Sequence, residues 1–233
     1  MKINVYEIFN SIDGEVNAMG QGAISTFIRL AGCNLNCPYC DTPKSRLVKN
    51  GTKYDVDQLV DMMMTRSNQS QKITITGGEP LLQAEAVTEF ISKMQQRESI
   101  MFTIETNGSI SLFKDCPEEL MDKADVCFTM DYKSSTSFNN WSFIEDDSYF
   151  IEGDWLKIPI GDKFHLEKPY KKDLIKLLNI QKGRNFQIAL SPIYRNKKQY
   201  NQLVADVIEF CMAKRISHRV IINTQIHKLI GLK

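Results

Sequence analysis

Short apolar, β-branched runs alternate along the chain with longer stretches of helical periodicity. Thr26-Phe27-Ile28-Arg29-Leu30 reads as a strand that ends at Ala31-Gly32, Lys72-Ile73-Thr74-Ile75-Thr76 as one stopped by Gly77-Gly78, and Met101-Phe102-Thr103-Ile104-Glu105 as one stopped by Asn107-Gly108. Further strands are expected at 125–130, 155–160, 186–190 and 219–223, and helices at 55–66, 82–96, 166–178 and 197–213. In the last of these, Tyr200, Leu203, Val204, Val207, Ile208, Cys211 and Met212 form one apolar stripe at helical spacing, which is the signature of a packed face. Strand–helix alternation predicts parallel βα units in an α/β domain. Six or so units are too few for a closed eight-stranded barrel, so the expectation is one domain built as a partial, open barrel of (β/α)6 type. The stretch 134–153, rich in Ser, Asn and Asp with interleaved aromatics, reads as a long loop or inserted hairpin.

Composition narrows the class. The 233 residues are 42% hydrophobic, which suits one substantial core and excludes wholesale disorder. Balanced charge, 29 Lys+Arg against 28 Asp+Glu, argues against a nucleic-acid partner. No apolar run reaches the ~20 residues of a membrane span, and the first residues do not form a secretory signal, so a cytoplasmic protein is expected. Three of the six cysteines, Cys116, Cys127 and Cys211, are scattered and read as free thiols packed like small apolar side chains.

The other three fall within eight residues. Cys33-Asn34-Leu35-Asn36-Cys37-Pro38-Tyr39-Cys40 is Cys-x3-Cys-x2-Cys in a loop directly after a strand. Thiolates are soft ligands for iron–sulfur clusters and for zinc. A structural zinc site wants four ligands, typically as two pairs, and here there is no second pair while His165, His218 and His227 are isolated. A four-iron cluster with three protein thiolates leaves one iron open to a small molecule. At the end of the second strand lies Thr76-Gly77-Gly78-Glu79-Pro80. Its glycines let the backbone approach a ligand, and its carbonyls and carboxylate can meet an ammonium.

These two motifs resemble the radical S-adenosylmethionine (AdoMet) superfamily. Glu7-Ile8-Phe9-Asn10-Ser11-Ile12-Asp13-Gly14-Glu15, Asp41-Thr42 after the last clustered cysteine, Glu105-Thr106-Asn107-Gly108, Met130-Asp131-Tyr132-Lys133, Leu190-Ser191-Pro192 and Gln225-Ile226-His227-Lys228 follow in order, and the whole set resembles the 7-carboxy-7-deazaguanine synthase family. The resemblance implies a homodimeric carbon–nitrogen lyase that converts 6-carboxytetrahydropterin to 7-carboxy-7-deazaguanine with loss of ammonia. It implies a [4Fe-4S] cluster, AdoMet and Mg²⁺ as cofactors, and a flavodoxin-like or ferredoxin-like electron donor. It implies that AdoMet is cleaved to a radical that takes hydrogen from the substrate, and is then re-formed.

Carried over residue by residue, the resemblance puts the cluster on Cys33, Cys37 and Cys40, and Mg²⁺ on Thr42. It puts AdoMet on Tyr39, Cys40, Asp41, Gly78, Glu79, Asp131, Tyr132, Lys133, Ser191, Pro192, Ile193 and Tyr194. It puts the substrate on Ile12, Asp13, Gly14, Glu15, Arg29, Thr76 and His227, with Arg29, Glu15 and His227 nearest the chemistry. An arginine fork suits a pterin carboxylate, and a fixed carboxylate suits the donor edge of the ring. Plainer readings stand beside these: Arg29 as a structural arginine paired with Glu15, His227 as a structural histidine, Thr42 as a turn residue, Glu15 and Lys133 as solvated charges. Asp13 stands where the family often has Gln, Val16 where it usually has Gly, and Ser191 where Gln is common, so the loop after Glu15 is expected to run differently. The rival functions are a glycyl-radical activating enzyme, which acts on a protein partner, and a non-catalytic module holding zinc through the three cysteines.

Overall fold

A computed structural model describes residues 1–65, 70–123, 125–133, 153–161, 169–182 and 186–232. The strands are β1 (Lys2–Ile12), β2 (Ile24–Leu30), β3 (Thr52–Asp55), β4 (Lys72–Gly77), β5 (Met101–Thr106), β6 (Val126–Asp131), β7 (Trp155–Ile160), β8 (Gln187–Pro192) and β9 (Ile221–Ile222). The helices are α1 (Val56–Thr65), α2 (Ala84–Gln95), α3 (Leu112–Asp115), α4 (Glu118–Met121), α5 (Pro169–Gln181), α6 (Lys197–Ala213) and α7 (Ile226–Leu229). The expected loop at 134–153 lies outside the described residues, Gly153 excepted, as does the start of the helix expected at 166–178.

The chain forms two compact units. The first holds Met1–Ile12, Ala23–Thr106 and Ile110–Phe128. Its strands run in the order β3-β1-β2-β4-β5 and on to the start of β6. The pairs β2–β4 and β4–β5 are parallel, whereas β1 is antiparallel to both β2 and β3. Parallel strands covered by helices are buried on both faces and read as continuous apolar runs. Accordingly Ile28, Leu30, Ile73, Ile75, Phe102 and Ile104 are all buried. On the helices Leu59, Val60 and Met63 of α1 and Val87, Phe90, Ile91 and Met94 of α2 are buried too, positions spaced at three and four residues that put them on one face. Phe90 meets Phe102 edge-on, ring centroids 6.2 Å apart.

The second unit holds Asp13–Gly22, Asn107–Ser109 and Thr129–Lys233. From the end of β6 its strands run parallel in the order β6-β7-β8-β9. Neither row closes on itself, since β3 ends one and β9 the other, and the α/β sheet is open as the strand–helix count implies. The α6 stripe is only partly core. Tyr200, Leu203, Val207 and Cys211 are buried, but Ile208 and Met212 are 48% and 64% exposed, because they sit at the rim of a stripe wider than the surface it covers. Cys127 is buried as expected, and Cys116 is half-exposed.

Candidate active site

In the first unit, backbone hydrogen bonds pin both ends of the cysteine loop. The Gly32 N–H donates to the Ser45 carbonyl (2.8 Å) and the Cys33 N–H to the Arg46 carbonyl (3.1 Å). Residues 33–40 therefore leave β2 and return to the short 3-10 turn Pro43–Arg46. Inside the loop the Cys40 N–H donates to the Cys37 carbonyl at 3.2 Å, and the Leu35 N–H points to Cys33 Sγ at 3.5 Å. All three thiols are partly exposed. Among the described residues no three Cys, His, Asp or Glu side chains are gathered at metal-binding distance. Three soft donors with no fourth metal ligand gathered to them among the described residues suit an iron–sulfur cluster better than structural zinc. The Thr42 side chain makes no capping bond to the turn it precedes.

The Gly77-Gly78-Glu79 segment docks on the same strand end. The Gly78 N–H donates to the Leu30 carbonyl at 3.0 Å and the Glu79 N–H to the Gly32 carbonyl at 2.8 Å. Gly77 has φ of +131°, a conformation side-chain-bearing residues rarely take. Glu79 is fully buried. One of its carboxylate oxygens accepts from the Leu81 N–H (2.9 Å) and the Thr106 hydroxyl (2.8 Å), so it fastens the turn that opens α2 and ties it to the end of β5.

A polar row crosses four strands one step before these loops. Strand register sets Glu7 opposite Arg29 and Arg29 opposite Thr76, and the Thr76 hydroxyl donates to Glu105 at 2.7 Å. Arg29 Nε donates to Glu7 Oε1 at 2.9 Å, and the guanidinium lies 5.4 Å from the Phe9 ring centroid. The carboxylate beside Arg29 is thus Glu7, not the Glu15 of the plainer, structural reading of this arginine. The reason is register: Glu7 lies directly across the antiparallel β1–β2 pair, whereas Glu15 belongs to the other unit. The Arg29 side chain is 14% exposed, and among the described residues its two terminal nitrogens have no partner.

The second unit gathers most of the remaining candidates. Gly14 lies so close to His227 that a Cβ there would fall 1.5 Å from His227 Nδ1, and the Ile226 N–H donates to the Gly14 carbonyl at 3.3 Å. Glu15 accepts from Gln225 Nε2 (2.8 Å) and from Asn223 Nδ2, and faces Lys157 Nζ at 3.2 Å. Burial together with the Glu15 charge pushes the Tyr200 phenol up to about 12. Asp131 pairs with Lys133 and, at 3.0 Å, with Lys157; burial opposes its ionisation, but these two ammonium groups hold its carboxyl below the usual range. The Ser191 hydroxyl accepts from Asn223 Nδ2 at 2.8 Å. Tyr132 is buried, the Ile193 N–H donates to the Ile160 carbonyl at 2.8 Å, and Tyr194 tilts against Tyr200 at 5.3 Å.

Val16 explains the unusual loop after Glu15. It needs no positive φ, and its side chain is buried against Trp155 and Ala189. Its N–H donates to Asn223 Oδ1 (3.0 Å), and its carbonyl accepts from the Thr129 hydroxyl (2.8 Å). Sequence reasoning missed Lys157 and Asn223. A lysine inside the apolar run Trp155-Leu156-Lys157-Ile158 was a usable signal; Asn223, at a strand end, carried none.

A family described as a 4Fe-4S single cluster domain matches residues 18–147. A 7-carboxy-7-deazaguanine synthase from Clostridium acetobutylicum is 32% identical, over 99% of this chain and 96% of the relative. One from Methanospirillum hungatei is 31% identical over 99% and 86%. The crystal structure of QueE from Escherichia coli shares the fold, with a TM-score of 0.67 at 20% identity over 96% of this chain and 95% of that one. With near-complete coverage of such relatives, a matching single-cluster domain around the cysteine loop and the same open α/β fold, the chain belongs to the 7-carboxy-7-deazaguanine synthase family.

Proposed function

We propose that this protein is a radical AdoMet lyase that converts 6-carboxytetrahydropterin to 7-carboxy-7-deazaguanine with loss of ammonia. The observation that carries the substrate assignment is Arg29. A largely buried guanidinium, anchored through Nε by Glu7 and with both terminal nitrogens open among the described residues, is built for a carboxylate. Burying that charge without an anion is costly, and Glu7 meets only one edge of the fork. Thr76, beside Arg29 in register, lies within reach of the same ligand. Glu15, held by two amide donors, is an acceptor for the donor edge of the pterin ring, with Gly14 and His227, already in contact, beside it in the same unit; Ile12 and Asp13 are the further substrate contacts of this reading.

Cys33, Cys37 and Cys40 would hold a [4Fe-4S] cluster, and Tyr39, Asp41, Gly78, Glu79, Asp131–Lys133 and Ser191–Tyr194 would hold AdoMet. When bound, these groups supply the one-electron chemistry that opens the reaction by removing hydrogen from the substrate. The protein's part is to orient the carbon that bears the carboxylate and to exclude water from it. Thr42 would offer its hydroxyl to Mg²⁺, which keeps waters and takes further oxygens from the substrate. A cytoplasmic homodimer reduced by a flavodoxin-like or ferredoxin-like donor completes the reading. Family membership sets aside the glycyl-radical and zinc-module alternatives. The deciding test is anaerobic incubation of cluster-reconstituted protein with AdoMet, reductant and 6-carboxytetrahydropterin, followed by mass spectrometry. Formation of 7-carboxy-7-deazaguanine supports the reading; AdoMet cleavage with the pterin untouched overturns it.

Two variants sharpen it. Arg29→Lys keeps the charge and loses the two-point fork, so substrate affinity should fall by about 1–3 kcal/mol, the range of a charge-assisted hydrogen bond. AdoMet cleavage without substrate should be nearly unchanged, and unchanged substrate affinity would return Arg29 to a purely structural pairing with Glu7. Thr42→Ala should raise the Mg²⁺ concentration needed for half-maximal turnover while leaving cluster content intact. A wild-type magnesium response in that variant would end the ligand role.

A further inference from the structure

We infer that Lys157 is a positioning residue that holds the Glu15 and Asp131 carboxylates as a fixed pair of acceptors. Its Nζ lies 3.2 Å from Glu15 Oε2 and 3.0 Å from Asp131 Oδ1, so one ammonium bridges two carboxylates. Lys133 pairs with the other Asp131 oxygen, which makes the group two anions and two cations. All are largely enclosed: the side chains of Lys157 and Glu15 are each 12% exposed, Asp131 18% and Lys133 8%. The backbone sets this up, because Asp131 and Lys157 are register partners across β6 and β7, and the Tyr132 N–H donates to the Lys157 carbonyl at 2.7 Å.

Stability does not account for such a network. Enclosed ion pairs recover little more than their desolvation cost, and apolar residues of similar volume serve as well or better. What the lysine adds is direction. Glu15 Oε2 is held by Lys157 and Asn223 and Oε1 by Gln225, so the carboxylate cannot turn and stays an acceptor. The inference rests on the reading of Glu15 as a substrate contact and of Asp131–Lys133 as an AdoMet contact. Under that reading Lys157 ties the two ligand-facing segments of this unit together without touching either ligand.

The test is a double-mutant cycle on the cluster-reconstituted enzyme, reading KM and kcat for 6-carboxytetrahydropterin in wild type, Lys157→Met, Glu15→Gln and the double variant. Lys157→Met is expected to raise KM by about tenfold, with a smaller change in kcat, and Lys157→Arg to recover most of it. The double variant should be no worse than Glu15→Gln alone, since the lysine acts through that carboxylate. An unchanged KM in Lys157→Met, or effects that simply multiply in the double variant, overturns the inference while leaving the lyase reading intact. Absence of wild-type turnover overturns the lyase reading and this inference with it. If Lys157→Met does not fold, the cycle is run with Lys157→Gln, which keeps a donor and loses the charge, and the same outcomes decide.

Discussion

Replacement of Cys33, Cys37 or Cys40 by alanine should abolish the iron–sulfur chromophore and AdoMet cleavage together. The loop offers three thiols and no substitute: the nearest cysteine in sequence is Cys116, far outside the loop, and no His, Asp or Glu joins the three as a metal-binding group among the described residues. Two thiolates cannot hold a cluster that already relies on a small molecule for its fourth iron, so the loss should be all or none. The fold should persist, because the loop's ends are pinned by backbone bonds to Ser45 and Arg46 rather than by its sulfurs. Each variant should therefore melt near the wild-type apoprotein. Cys211→Ala is the contrast: its thiol is buried and burial pushes it up, so it should cost on the order of 1 kcal/mol in packing and leave the chromophore untouched. A loop variant that cleaves AdoMet at the wild-type rate would remove the cluster from these residues.

The parallel strands were legible because each is a short, mainly apolar and β-branched run bounded by turn residues. Those expected at 26–30, 72–76, 101–105, 125–130, 155–160 and 186–190 agree with β2 and β4–β8 to within two residues at either end. What escaped were β1 and β3. In β1, Lys2–Ile12, buried Asn4 and the half-buried Tyr6, Glu7, Ile8 and Phe9 break both the continuous and the alternating pattern, so the segment showed its motif and hid its strand. That omission propagated to the site. Without an antiparallel β1 nothing in the sequence sets Glu7 opposite Arg29, so the structural alternative for Arg29 names Glu15 as its partner instead. The cysteine loop and the double-glycine turn could be located in the sequence because each is a motif of local spacing. Lys157 and Asn223 were not, because both act through residues more than a hundred positions away, or on neighbouring strands, that only the folded sheet brings to them.

Gly78→Ala should be among the most damaging single-methyl substitutions in the first unit. A Cβ at this position would sit 1.9 Å from the Gly32 carbonyl oxygen and 3.0 Å from the Cys33 nitrogen. Both obstacles are backbone, so no rotamer change can relieve the clash. The segment has to lift off the end of β2, which breaks the Gly78–Leu30 and Glu79–Gly32 hydrogen bonds, and these join the double-glycine turn to the strand that delivers Cys33. Overpacking of this kind costs typically 1–3 kcal/mol, and two strained backbone bonds put the expected loss at about 2–4 kcal/mol. AdoMet binding should fall with it, since the turn and the cysteine loop would lose their common support. Gly20→Ala isolates the effect of geometry from that of glycine itself: φ is +88° there, but nothing lies within 4 Å of the new carbon, so only the conformational penalty of about 1–2 kcal/mol applies. Thermal denaturation of the three proteins, with AdoMet affinity measured on the reconstituted forms, separates the cases. If Gly78→Ala melted with Gly20→Ala and bound AdoMet like wild type, the docking of the glycine turn on β2 would have no part in building the site.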